Sequence, residues 1–401
     1  MLLGLSTAEL FSWGILYYSF SVMVRPIEVE LGWSRTQVTG GFSLALLVSG
    51  LAAVPVGHWL DARGPRGLMT IGSLLGSLSL FALSRVRTLA AFYAVWVALG
   101  LAMAMVLYEP AFAVVATWFE RERERDRALT VLTVFGGLAS TLLVPLATGL
   151  VVGYGWRAAA ARLALLLALT TVPLHALFVR RAPAASGPPA ERGPAGPVSS
   201  DGGLRQAASE GRFWRLTAAF ALAGAAMAAV SVHLIPYLTV SGLSPATAAA
   251  ALGGIGLMQL PGRLASGPVR RRLSWPWAAG AVLAVQAVAA LVLARSASLA
   301  ALAAFVCLFG LGNGAATILR AAGLAEMFGP ARYGRVSGLA ALFATLGRAA
   351  GPVAASALVA AGGYRLAFGT LAVLLAVGAA LLLGPARWTR PRAVQGGVWS
   401  G

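Results

Sequence analysis

The chain has 401 residues, 59% of them hydrophobic and 11% charged, with a formal net charge of +18. This excludes a soluble globular fold of the same size, which carries about 25% charged residues and cannot hide so much apolar surface from water. It also excludes a nucleic-acid-binding domain, because the basic residues are all arginines set in short connections between apolar runs and form no single basic face.

The apolar runs are each near the ~20 residues that cross ~30 Å of hydrocarbon. They are continuous and rich in Leu and Ala, whereas barrel strands read as ~10-residue alternating segments, so they are predicted to be helices. The spans fall near 3–25, 37–58, 67–84, 90–118, 128–153 and 158–179, then near 213–241, 246–269, 276–294, 298–328, 333–360 and 364–384. The N-terminus has no small-residue cleavage site of a secretory signal, so the first run is expected to be the first span. Between the two sets lies a stretch with Pro183, Gly187, Pro188, Pro189, Gly193, Pro194, Gly196 and Pro197, a composition of flexible linkers. The predicted organisation is therefore an all-α membrane protein of about 12 transmembrane helices in two pseudo-symmetric six-helix bundles. These would be 1–180 and 213–385, with a linker at 181–212 and a cytoplasmic tail at 386–401.

Arginine placement predicts the orientation. With both termini cytoplasmic, the inside connections hold twenty arginines, among them Arg63, Arg66, Arg121, Arg127, Arg270, Arg271, Arg272, Arg332 and Arg335. The outside connections hold seven: Arg25, Arg35, Arg85, Arg87, Arg157, Arg295 and Arg365. Such a bias marks the cytoplasmic side, here of a bacterial inner membrane. The halves also repeat at an offset of about 208 residues. Gly155-Trp156-Arg157 matches Gly363-Tyr364-Arg365, Trp118-Phe119 matches Met327-Phe328, and Pro145 corresponds roughly to Pro352. Duplicated halves are a property of secondary transporters.

The connection after the second span reads Gly57-His58-Trp59-Leu60-Asp61-Ala62-Arg63-Gly64-Pro65-Arg66. It resembles the signature between the second and third spans of the major facilitator superfamily. In that family Asp61 and Arg63 would help to lock one conformer, since Asp61 can accept from Arg63 or from a neighbouring helix N-terminus; an ordinary acidic turn is the plain alternative. Ser12-Trp13-Gly14, Tyr17-Tyr18 and Gly32-Trp33-Ser34-Arg35 resemble the opening of the monocarboxylate and oxalate/formate exchanger branch. Trp118-Phe119-Glu120-Arg121, leading to Arg127-Ala128-Leu129 and Gly136-Gly137, resembles that branch's entry into the fifth span. The resemblance implies a secondary transporter working by alternating access on a small organic anion, a mono- or dicarboxylate, coupled to protons or a counter-anion. An exporter of drugs or hydrophobic compounds on the same fold is the alternative.

Charges inside spans are costly and mark paths or partners. Arg263 lies in the eighth span one turn after Gln259. The monocarboxylate branch has an acid and an arginine at this spacing, and the arginine holds the substrate carboxylate; here Gln259 stands where the acid would be. The alternative places Arg263 with Arg270–Arg272 at the cytoplasmic end. Arg348 lies mid-way along the eleventh span. The resemblance implies a contact with the anion, and a guanidinium matches a carboxylate in two parallel hydrogen bonds; the alternative is a structural arginine near Pro352. Glu109 and Arg320 occupy near-equivalent places in the fourth and tenth spans. They are expected either to pair as a cytoplasmic gate, with Glu109 as a possible proton site, or to be unrelated. Trp13, Tyr17, Tyr18, His233, Tyr237 and Asn313 are candidates to line the path, Tyr17 foremost; His233 could titrate near neutral pH and serve coupling, but reads more readily as a structural histidine. Cys307, in an apolar run, is expected to be a small core residue. No catalytic constellation, phosphate-binding loop or metal-ligand spacing is present in the sequence. The chain is expected to need no cofactor, to work as a monomer in the bilayer, and not to be an enzyme.

Overall fold

The computed structural model describes residues 1–119, 122–179, 209–296, 298–328 and 330–384. The linker expected at 181–212, except 209–212, and the tail expected at 386–401 lie outside them. The described chain is helical throughout. The helices are α1 Leu2–Ser12, a π-helical turn Trp13–Tyr18, α2 Phe20–Leu31, α3 Arg35–Arg63, α4 Pro65–Leu83, α5 Leu89–Val106 and α6 Tyr108–Trp118. They continue with α7 Glu122–Phe178, α8 Gly211–Val240, α9 Pro245–Arg272, α10 Trp275–Arg295, α11 Leu299–Phe328 and α12 Pro330–Leu383.

Local signals set the ends. Ser34 accepts from the Gln37 N–H, and Gln37 returns a bond to the Ser34 N–H, a capping box that opens α3. Ser244 caps α9 with Pro245 in the first turn, where a missing N–H costs nothing. Gly32 closes α2 at φ 69, a left-handed conformation that favours glycine.

Among the described residues, eight segments are long and apolar enough to cross a membrane. Two of them, at 127–178 and 339–383, run 52 and 45 residues, far beyond one crossing at about 1.5 Å per residue. Each is broken near its middle: α7 at Gly155 with φ 77, and α12 at Gly362–Gly363 with φ 74 at Gly363. The criterion of length and hydropathy does not count twelve spans. The π turn divides Leu2–Leu31, and α9 is diluted by glycines and arginines.

The repeat is visible in the helix boundaries. Shifting α3, 35–63, by 208 residues gives 243–271, against Pro245–Arg272 for α9. Shifting α4, 65–83, gives 273–291, against Trp275–Arg295 for α10. The two internal breaks, Gly155 and Gly363, are themselves 208 apart. Helices α1 and α3–α7 pack mainly on one another, as do α8–α12. The two groups meet along α7–α9, α3–α12 and α2–α8.

Glycines let the helices touch. A Cβ at Gly262 or Gly314 on the α9–α11 contact would collide with the backbone of Leu311 or Gln259. Apolar side chains also cover the outside: Leu264 is 77% exposed and Leu169 68%. This is stable only against lipid. Cys307 corrects an expectation: it is exposed, not a core residue, because it falls on the outer face of α11 while Phe305 and Phe309 turn inward.

Candidate functional site

The first helix carries the irregularity that builds the site. The Ser19 N–H donates to the Gly14 carbonyl at 2.9 Å, five residues back, and the Ser19 hydroxyl donates to the Ile15 carbonyl at 2.6 Å. A π turn of this kind holds one extra residue and is frequent at functional sites. It gathers Trp13, Tyr17 and Tyr18, with ring centroids 5.1 Å apart for Trp13–Tyr17 and 5.0 Å for Tyr17–Tyr18. Tyr108 joins them at 4.8 Å from Trp13 and stacks on Phe112. It stands at a second irregularity, where α5 ends at an extended Leu107 and α6 begins. Pro110 falls in the first turn of α6, where no N–H is required.

Two arginines of the other half approach this cluster. Arg263 crosses from α9 to α7, where its Nη1 donates to the Thr133 carbonyl at 2.8 Å, and Nη2 lies 3.5 Å from Gln259 Oε1. Its charge acts on Tyr18 and Tyr108, and its Nε is buried without a partner. It therefore faces the interface between the halves, away from Arg270–Arg272. Arg348 donates from Nη2 to Thr345 Oγ1 at 2.9 Å, rests its Cγ near Gly224, and acts on Tyr17. The carbonyl of Pro352 is taken by His233 Nε2 at 2.9 Å and Ser356 Oγ at 3.0 Å, not by Arg348. Gln259 and Tyr17 are buried, and Asn313 is half-buried on α11 beside the α9 contact.

The expected gating residues do not assemble. Glu109 is exposed, and among the described residues no ion pair joins it to Arg320, which is half-buried on α11. The side chain of Asp61 lies outside the described residues. Arg63 is exposed at the end of α3, with its guanidinium 5.0 Å from the Trp59 ring centroid. His233 is buried and serves a network at the opposite end of the molecule.

That network was not anticipated. Arg35 makes a two-pronged ion pair with Glu28 at 2.6 and 2.8 Å and donates to the Tyr364 hydroxyl across the halves. One turn deeper, Thr39 and Ser356 share a hydrogen bond of 2.6 Å between the halves, and Ser356 lies 3.1 Å from His233 Nε2. Tyr364 packs on Tyr237 at 4.9 Å. Beside this lattice lies a cleft of about 360 Å³ lined by Arg25, Glu28, Trp33, Arg35 and Ser356. At the equivalent break in the other half, Trp156 and Arg157 both donate to Glu30.

Glu9 and Tyr108 also escaped the sequence reading. Glu9 is fully buried in α1; Oε2 accepts from Trp13 Nε1 at 3.0 Å and Oε1 has no partner. The rule that singled out Arg263 applies equally to an acid between Ala8 and Leu10.

The model of the Major Facilitator Superfamily matches residues 5–307 and 275–397. The chain belongs to this superfamily. It is a membrane transporter, not an enzyme. Among curated relatives, "Monocarboxylate transporter 13" of Bos taurus is 25% identical over 387 residues, covering 93% of this chain and 84% of that protein. The "Probable L-galactonate transporter" of Escherichia coli (strain K12) is 27% identical over 139 residues, 35% of this chain and 30% of that protein. Among solved structures, a bacterial homologue of the human lysosomal transporter Spinster shares the fold with a TM-score of 0.78, 15% identity and 95% of both chains covered. The nucleoside transporter NupG does so at 0.73, with 14% identity over 95% of this chain and 97% of that one. Within the superfamily, the chain resembles the monocarboxylate transporters.

Proposed function

We propose that this superfamily member moves a small organic anion, a mono- or dicarboxylate, by alternating access between its two halves, coupled to protons or a counter-anion. The observation that carries the reading is the convergence of Arg263 and Arg348, from two helices of one half, on the aromatic cluster of the other. Two guanidiniums flanking apolar rings suit a carboxylate with a short organic body. Arg263 would exchange its Thr133 carbonyl for the substrate. The relatives described as monocarboxylate and L-galactonate transporters support an acidic cargo. By this reading the lattice of Glu28, Arg35 and Tyr364 closes the outer face, and Asp61 and Arg63 lie at the cytoplasmic end. Glu109 and Arg320 are left as residues of the inner path. The arginine bias supports cytoplasmic termini, the all-arginine composition fits a bacterial inner membrane, the two halves 1–180 and 213–385 are the moving units, and a monomer suffices.

The aromatic cluster beside a buried acid favours one other reading, export of lipophilic cations. Thermal unfolding of the purified protein against a panel of carboxylates and lipophilic cations separates the two. A ligand bound only by the folded state at 100 times its Kd adds about 2.7 kcal/mol. Stabilisation by a carboxylate, lost in Arg348→Gln and Arg263→Gln, is the expected result. Stabilisation only by lipophilic cations, unchanged in both variants, would overturn the anion reading.

A further inference from the structure

Glu9 is not accounted for by packing. A helix that needs only an apolar face has no use for a carboxylate at zero exposure, and one oxygen of this one has no hydrogen-bond partner. Its single bond comes from Trp13, the first residue of the π turn. On the far side of Trp13 stands Tyr108, and beyond Tyr108 stands Arg263, whose Nε is likewise buried and unpartnered. A buried carboxylate and a half-buried guanidinium, each with one buried polar atom unpartnered, thus flank one aromatic cluster from opposite halves. Tyr108 and Arg263 meet α7 at adjacent residues, the Tyr108 hydroxyl against Gly136 and Arg263 Nη1 near Gly137.

The other groups around Glu9 do not neutralise it. The π turn presents Tyr17 and Tyr18. Helix α7 presents Leu143 against Gly14 and Phe178 against Gly4, and its His175 is turned to Ser73 of α4 at 2.7 Å. The titratable Tyr93 of α5 is occupied far away by the Gln37 carbonyl. Glu109, next to Tyr108, is exposed.

We propose that Glu9 is the proton-binding group of this transporter, linked to the anion site through Trp13, Tyr108 and Arg263. The proposal rests on the anion reading above. When Glu9 is ionised, its charge and that of Arg263 oppose each other across Tyr108. A substrate carboxylate that takes the Arg263 guanidinium removes that compensation, and Glu9 Oε1, reached by solvent when the π turn relaxes, takes a proton from hydronium and leaves water. One anion and one proton are gained together, and the charge of the site is unchanged. The π turn supplies the moving part. Returning it to α-helical register shifts Trp13 along the axis, frees Oε2, and opens Glu9 to solvent for proton release.

Two measurements test this on the full-length protein in lipid. Glu9→Gln keeps the shape and an oxygen for Trp13, and Glu9→Asp keeps the acid. In proteoliposomes, wild type and Glu9→Asp are expected to accumulate a labelled carboxylate against its gradient when a pH gradient is imposed. Glu9→Gln is expected to lose at least tenfold of that accumulation while counterflow at equal pH stays within about twofold. Glu9→Gln that accumulates substrate like wild type overturns the proposal and leaves the anion reading standing. Should wild type move no carboxylate at all, the anion reading falls, and infrared titration without substrate decides for Glu9. A pH-dependent carboxyl absorption that vanishes in Glu9→Gln and shifts in Arg263→Gln supports the proton site. An absorption identical in all three proteins overturns it.

Discussion

Arg263 holds the Thr133 carbonyl and sits 3.5 Å from Gln259, so its hydrogen bonds in this conformer are ones that a carboxylate could replace. Charge-assisted bonds contribute about 1.5–3 kcal/mol. Arg263→Gln and Arg348→Gln should therefore each weaken carboxylate binding by roughly tenfold or more, read as Kd by isothermal titration. Equal affinity in both variants would assign the two arginines to packing. Arg348→Lys should recover only part of the loss, because an ammonium cannot make the two-pronged contact. At this scale the sequence singled out Arg263 and Arg348 as charges that interrupt apolar runs, and Gln259 by its spacing from Arg263. It was silent on pairing. Glu109 and Arg320 share near-equivalent repeat positions, yet the break at Leu107 turns Glu109 to an exposed position. Arg35, counted among the outside connections, binds Glu28 and also Tyr364, a contact 329 residues apart in sequence that no local pattern announces.

Helices α3 and α12 meet through Thr39 and Ser356 below the Arg35–Tyr364 contact, and under the proposed alternating access this pair has to separate for that face to open. Their hydroxyls are 2.6 Å apart, so cysteines at both positions lie within disulfide reach. With Cys307 replaced by Ser, oxidation of Thr39→Cys/Ser356→Cys is expected to stop transport and reduction to restore it. Unimpaired transport by the oxidised protein would show that this face stays shut. Arg35→Gln should favour the outward-open form, seen as faster labelling of a cysteine placed at Ser356. Within the C-terminal half, Gly262 lies against the Leu311 backbone, and Gly262→Leu should lower the unfolding temperature by several degrees, as overpacking costs about 1–3 kcal/mol. Helix positions were readable from the apolar runs, whereas the caps Ser34 and Ser244 became visible only in the structure. The π turn was not, since Trp13–Tyr18 has no composition that separates it from α-helix. Its register is fixed by contacts such as Gly14 against Leu143.

The whole molecule follows from two sequence facts, apolar runs and a repeat of about 208 residues, and the boundaries of α3 and α9 or α4 and α10 keep that offset to within a few residues. The superfamily was legible because the Gly57–Arg66 connection sits between the second and third spans. The substrate was less so, because in the proposed site it depends on a few side chains brought together from the π turn, α6, α9 and α12. Counterflow in proteoliposomes tests the central claim most directly. Vesicles loaded with an unlabelled monocarboxylate should take up the labelled one with saturation, other carboxylates should compete, and Arg263→Gln and Arg348→Gln should be at least tenfold slower. Absence of carboxylate exchange, together with movement of lipophilic cations that neither variant impairs, would contradict the account.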